Sequence, residues 1–285
     1  MILYLELLET HPISNINTKL VLTVIYVCIF LCSFKINSQR SFDDKPPIYF
    51  KSGIEPVVGK WKRNRITNGV GEVELNMNIK GVDSGIVESE MLLAAHRKYG
   101  IYNRKRKGEL DLIMLCLPEG TSGTWWAYAY PNHWISVYND NICLSLSAQM
   151  HEVGHNLGLA HSGEDLTYDD MSGYMDYSVA DQDGPFKCFN GAKSWQLGWY
   201  FDGHESIMSM PVNGKREYEG RLIGAAEYKK LELSSDRVIV QINGHQSDYY
   251  VSFNAQKGIN SGTDEGGDEV LVHSRITESQ CLLPS

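Results

Sequence analysis

Eleven residues constrain this chain more than any others: His151-Glu152-Val153-Gly154-His155-Asn156-Leu157-Gly158-Leu159-Ala160-His161. The spacing H-E-x-x-H-x-x-G-x-x-H asks for a helix that stops abruptly. Residues four apart share a helix face, so His151 and His155 can grip one ion. Glu152 lies about 100° round the same helix, where it can flank that ion without ligating it. Gly158 can take the left-handed backbone that ends a helix. The chain can then turn back and bring in His161. Three neutral imidazoles suit Zn²⁺, and three protein ligands leave one position open, the catalytic rather than the structural pattern. The bland alternative is a surface helix with accidental histidines.

This motif resembles the zinc-binding consensus of the metzincin peptidases. Metzincins carry a methionine turn beneath the metal, and Met175-Asp176-Tyr177 resembles the Met-x-Tyr form of some of them. The resemblance implies Met175 as the turn methionine, with Met171 as a second candidate. It also implies a place for Tyr177 near the metal or the reacting carbonyl. A core methionine beside an ordinary buried tyrosine is the alternative.

The flanks narrow the resemblance. Leu115-Cys116-Leu117-Pro118-Glu119-Gly120-Thr121, Trp126 to Tyr130, Ser136 to Asp140, Ser147 to Met150, His161 to Glu164, and Cys188 through Trp195-Gln196-Leu197-Gly198-Trp199-Tyr200 form a series. It is similar to the gametolysin family of metallopeptidases, over roughly residues 70 to 275. The resemblance implies a secreted, zinc-dependent endopeptidase acting on extracellular-matrix or cell-wall glycoproteins. Two departures stand out. Asp176 sits where the turn calls for a small residue. The chain also ends early for the family, so the C-terminal segment is expected to be one part of a longer unit.

The chain has 285 residues and a net charge of −9, which argues against a nucleic-acid partner. The basic runs Lys60 to Arg65 and Arg104 to Lys107 read as solvated loops, although cleavage after Arg65 would fall just before the first expected strand. Leu20 to Phe34 is an apolar stretch flanked by Lys19 and Lys35, too short for a membrane helix and suited to a secretory signal. Cleavage near Ser38 is expected, with a single-pass signal anchor as the alternative because Glu6 and Glu9 are unusual in a signal. Cys28 and Cys32 lie in that stretch. Cys116, Cys143, Cys188 and Cys281 remain, an even set that suggests disulfides; Cys116 with Cys143 is the expected pair because they flank one predicted hairpin.

Periodicity predicts a strand over 72–79, a helix capped by Ser84 and running to about Lys98, and a buried strand over 110–117. Strands over 125–130 and 134–138 follow, joined through Pro131-Asn132-His133. The histidine-bearing helix starts near Ser145 or Ser147, and 192–197 reads as a further helix. The strand over 134–138 is the candidate edge for docking a substrate strand, with an internal position as the alternative. Later strands are expected over 237–242, 249–253 and 269–272. The predicted fold is α+β, a metzincin-like domain with a mixed twisted sheet, zinc helix and methionine turn, followed by a smaller β-rich segment. The expected layout is 1–38 signal or anchor, 39–69 linker or pro-segment, 70–203 peptidase domain, and 204–285 β-rich segment.

His96, His133, His204, His245 and His273 fall at unrelated spacings and read as surface or structural. Glu164, Asp165, Asp169 and Asp170 could hold Ca²⁺ but lack EF-hand spacing, and read as a solvated loop. The sequence therefore predicts hydrolysis of peptide bonds in a protein or glycoprotein substrate. Zn²⁺ would be held by His151, His155 and His161, with Glu152 as general base and Tyr177 assisting. A non-catalytic, zinc-containing matrix adhesion module is the rival reading. Oligomeric state is not legible.

Overall fold

The computed structural model describes residues 18–23, 70–99, 112–164, 166–176, 186–208, 219–230, 236–244 and 247–276. Among these is a five-stranded mixed sheet of β1 (Thr18–Thr23), β2 (Val70–Leu75), β3 (Ile113–Leu117), β4 (Ala127–Ala129) and β5 (Ile135–Asn139). Its order is β2-β1-β3-β5-β4. The β3–β5 pair is parallel, and β1 and β4 run antiparallel to their neighbours.

The edge next to the histidine helix is therefore β4. The strand expected over 134–138 is β5, and it is internal, paired on both sides. A two-sided strand has no free main-chain edge, so the alternative reading of an internal strand holds for it.

Helix α1 (Ser84–Tyr99) covers one face of the sheet. Its apolar residues Val87, Met91, Ala95 and Tyr99 recur at helical spacing and are all buried. They meet Ile113, Leu115, Leu117, Ile135 and Val137 from the strands. The cap differs from expectation: Asp83 Oδ1 accepts from Gly85 N at 2.9 Å, and Ser84 is the first helical residue. A carboxylate one residue upstream satisfies the open first turn. Glu88 faces the sheet, where Tyr128 and Tyr130 both donate to its Oε2, at 2.9 and 3.1 Å. That pins edge strand β4 to α1.

The continuous apolar run of β3 is explained by burial of both faces. Met114 and Cys116 point the other way and pack with Tyr138 and Cys143. The Cys116–Cys143 disulfide forms as predicted, with Cα atoms 5.6 Å apart. It ties β3 to the 3-10 turn at Asp140–Leu144, just ahead of the histidine helix α2 (Leu146–Asn156). Cys188 is also disulfide-bonded.

Short helix α3 (Gly191–Gln196) follows, capped by the Asn190 side chain, which accepts from Lys193 N. A second sheet comes next, β11-β10-β9-β6, from β6 (His204–Met208), β9 (Ile239–Asn243), β10 (Ser247–Phe253) and β11 (Val270–Ile276). A parallel pair, β7 (Arg221–Leu222) with β8 (Asp236–Arg237), lies beside it. The chain is thus α+β. One apolar cluster joins Met150, Val153 and Met175 to Ala192, Trp199, Ile239 and Tyr250, so the core runs without a break through residues 203–204.

Residues 20–23 of the apolar N-terminal stretch form part of β1, and residues 24–34 lie outside the described set. This strand and a signal cleaved near Ser38 are alternatives that one mature molecule cannot hold together. Among the described residues no helix is long and apolar enough to cross a membrane.

Candidate metal centre

The site is built on α2 and the turn that ends it. Ser145 caps the helix, its side chain accepting from Ala148 N at 3.3 Å. At the other end Gly158 has φ +86°. Its N–H donates to His155 O at 2.8 Å, and Leu159 N donates to Gly154 O at 2.9 Å. These two bonds are a Schellman termination, and they need a left-handed residue at 158. The predicted reversal therefore occurs where the glycine was read, and it brings His161 back beside the helix.

The three rings converge. Their centroids lie 4.8 Å (His151–His155), 5.2 Å (His151–His161) and 4.6 Å (His155–His161) apart. One nitrogen from each falls within 4.8 Å of the others, the one such group of histidine, cysteine or carboxylate donors among the described residues.

Ring tautomers can be read from their partners. His151 Nδ1 lies 2.9 Å from Tyr174 O, and His155 Nδ1 lies 2.8 Å from Leu159 O. A carbonyl oxygen only accepts, so both Nδ1 atoms carry hydrogen and both Nε2 atoms carry lone pairs. Those Nε2 atoms are 3.2 Å apart. Two lone pairs at that distance repel unless a cation lies between them. Zinc bonds of about 2.0–2.1 Å at tetrahedral angles put ligand nitrogens about 3.3 Å apart, close to what is seen. Carbonyl partners on the outer nitrogens are also how metal-binding histidines are usually held.

Burial agrees with neutral ligands. Desolvation, then the neighbouring imidazoles His155 and His161, push the His151 pKa down to about 3. Desolvation, His155 and Lys193 bring His161 to about 4. Burial also lowers His155. Glu152 is 6% exposed, and burial raises its pKa to about 8. Its Oε2 has no hydrogen-bond partner among the described residues. A buried carboxyl in that condition is costly unless a cation or a bound reactant faces it. The residues present thus fit a divalent ion.

Met175 is 1% exposed and packs under the helix: a side chain added at Gly154 would collide with its Sδ. Met175 O accepts from Ser162 N at 2.7 Å, which links this turn to the residue after His161. Met171 is 40% exposed and does not occupy that position. Tyr177 lies outside the described residues. Asp176, the departure in the turn, is buried and paired with Lys187 Nζ at 3.0 Å; Lys187 also reaches Asp264 at 3.2 Å. A charged residue is accommodated there because a buried cation answers it.

Several residues near the site carried no sequence signal. The Tyr168 ring lies 4.2 Å from the His161 ring. Lys193 Nζ donates to His161 O at 3.1 Å, and Gln196 Nε2 donates to Gly158 O at 2.9 Å. The acidic cluster proves divided. Asp169 accepts from Glu164 N and Leu166 N in a surface turn. Asp170 is not solvated: it is buried, accepts from Asn190 Nδ2 at 2.7 Å, and lies 3.6 Å from His273 Nε2. It is drawn inward because the Asn190 amide and the Ser172 N–H and hydroxyl donate to it. His204 stacks on Trp195 at 4.1 Å, and His133 packs between Tyr130 and Trp134, as structural histidines do. His245 lies outside the described residues.

The family model for gametolysin peptidase M11 matches residues 95–264, more than half of the chain. The chain belongs to the gametolysin peptidase M11 family. Membership implies a metallopeptidase, whose substrate is protein, and the histidine trio is where its metal can be held. The match runs across residues 203–204, as the apolar core does. No curated protein matches the chain.

Proposed function

We propose that the chain is a secreted, zinc-dependent endopeptidase with Glu152 as its general base. One observation carries the reading: two histidine lone pairs aimed at a common point, with a third imidazole converging on it; on the same helix Glu152 is buried with its Oε2 lacking a hydrogen-bond partner among the described residues. A divalent ion at that point supplies a Lewis acid, which makes a water more acidic and polarises a carbonyl oxygen. His151, His155 and His161 would hold the ion through neutral nitrogens. Glu152 would take a proton from the water that attacks the scissile carbonyl carbon and return it to the amine released as the C–N bond breaks. Met175 supports the helix from below, and Tyr177 is proposed to stabilise the developing oxyanion. Among the described residues β4 pairs on one side only, and its other edge would offer an extended peptide a strand to pair with, in a metzincin-like arrangement. Matrix or cell-wall glycoproteins are the proposed substrates. Export is supported by the Cys116–Cys143 disulfide, since such bonds persist in oxidising compartments.

The test is digestion of a denatured protein substrate by the full chain, with and without chelator, beside Glu152→Gln. The expected outcome is chelator-sensitive cleavage that zinc restores. Glu152→Gln should keep its metal and lose at least about 10²-fold in kcat, the size of a general-base effect. Undiminished turnover in that variant removes Glu152 from the mechanism. A zinc-loaded parent that cleaves nothing points instead to an adhesion module.

A further inference from the structure

His151 and His155 are placed by a regular helix, but His161 sits on an irregular turn, and something outside the turn must hold it. Helix α3 lies against that segment. Lys193 and Gln196, three apart and hence on one face, both reach it through main-chain carbonyls. Lys193 Nζ donates to His161 O at 3.1 Å, and Gln196 Nε2 donates to Gly158 O at 2.9 Å. Asn190, at the cap of the same helix, donates from Nδ2 to Ser162 Oγ at 3.2 Å. The turn from the helix-ending glycine to the residue after the third histidine is therefore held at two points by one six-residue helix and at a third by its cap residue.

That helix is itself anchored. Asn190 Nδ2 also donates to the buried Asp170 carboxylate, which accepts from Ser172 N at 3.1 Å and lies 3.6 Å from His273 of β11. Gly191 abuts Ser252 of β10 so closely that a side chain there would collide with it. The second sheet thus backs the helix that holds the turn.

We propose that Lys193 and Gln196 are positioning residues for the third metal ligand. They fix the main chain of 158–161 so that the His161 ring arrives already oriented. The inference rests on the metal-centre reading above. Groups that orient ligands from behind in this way typically change metal affinity by about 10- to 100-fold when removed.

The test uses the full chain as Lys193→Met, Gln196→Met, the double variant and Lys193→Arg. Zn²⁺ affinity is measured by competition with a chelator of known affinity. The visible spectrum of the Co²⁺-loaded protein reports coordination geometry, and the thermal transition of the metal-free protein controls for global stability. Each Met variant should bind zinc at least about tenfold more weakly. The double variant should also show a changed Co²⁺ spectrum, while its metal-free transition moves little. Lys193→Arg, which keeps a cationic donor, should recover most of the affinity. Should Lys193→Met fail to fold, Gln196→Met decides alone by the same two readings. Zinc affinity within twofold of the parent, with an unchanged Co²⁺ spectrum, overturns the proposal. A parent chain that takes up no metal fails differently, because it overturns the proposed function itself.

Discussion

Replacing Lys187 by methionine removes the cation that faces Asp176. The two side chains are 4% and 0% exposed, with Nζ 3.0 Å from Oδ2. Breaking such a buried pair from one side costs roughly 3–5 kcal/mol, because a charge is left in a medium that solvates it poorly. The opposite substitution is not equivalent. In Asp176→Asn, Lys187 keeps Asp264, whose side chain is 45% exposed and 3.2 Å away. That loss should resemble one charge-assisted hydrogen bond, about 1.5–3 kcal/mol. Urea unfolding of the metal-free chain measures both. For a chain of this size a 3–5 kcal/mol loss lowers Tm by roughly 6–20 °C. The double variant, with neither charge, should lose less than the sum of the singles. Equal costs for the two singles, or a Lys187→Met loss below about 1 kcal/mol, would refute the argument that Lys187 offsets the burial of the Asp176 charge.

Metal-free stability should depend on pH from both sides. His151 and His161 are held near 3 and 4 when folded, but the unfolded chain protonates them below about 6.5, so stability present above that pH is lost as pH falls through 6.5 towards 4. Glu152, raised to about 8, acts oppositely and costs stability as pH rises from its ordinary value towards 8. Because more than one histidine opposes a single carboxyl, a maximum near neutrality is expected in thermal scans; a monotonic rise from pH 5 to 9 would contradict it. Substituting Cys116 and Cys143 by serine should cost about 3–4 kcal/mol by the loop-entropy estimate for a separation of 27 residues, read by denaturant unfolding. A loss below about 0.5 kcal/mol would mean the link stabilises the fold little.

Regular elements of the first sheet and its covering helix are legible because their signals are local. The stripe Val87, Met91, Ala95 and Tyr99 and the apolar run of β3 each encode an element and its buried face. The metal trio was legible because two ligands share a helix face and Gly158 dictates the reversal. What escaped depends on contacts distant in sequence. Lys193 and Gln196 look like ordinary polar helix residues until the turn folds against them. Asp170 reads as solvated because Asn190, whose amide donates to it, lies 20 positions away. Edge and internal positions stay open for 134–138 in the sequence because strand order is set by pairing, which no local pattern encodes. Ser84 was read as the cap although Asp83, one residue earlier, makes the bond.

X-ray absorption at the zinc edge of the metal-loaded full chain tests the central claim most directly. The account predicts one zinc per chain, bound by three imidazole nitrogens at about 2.0–2.1 Å with oxygen completing the shell. Fewer than three imidazoles, a sulfur ligand, or no stoichiometric metal would contradict it.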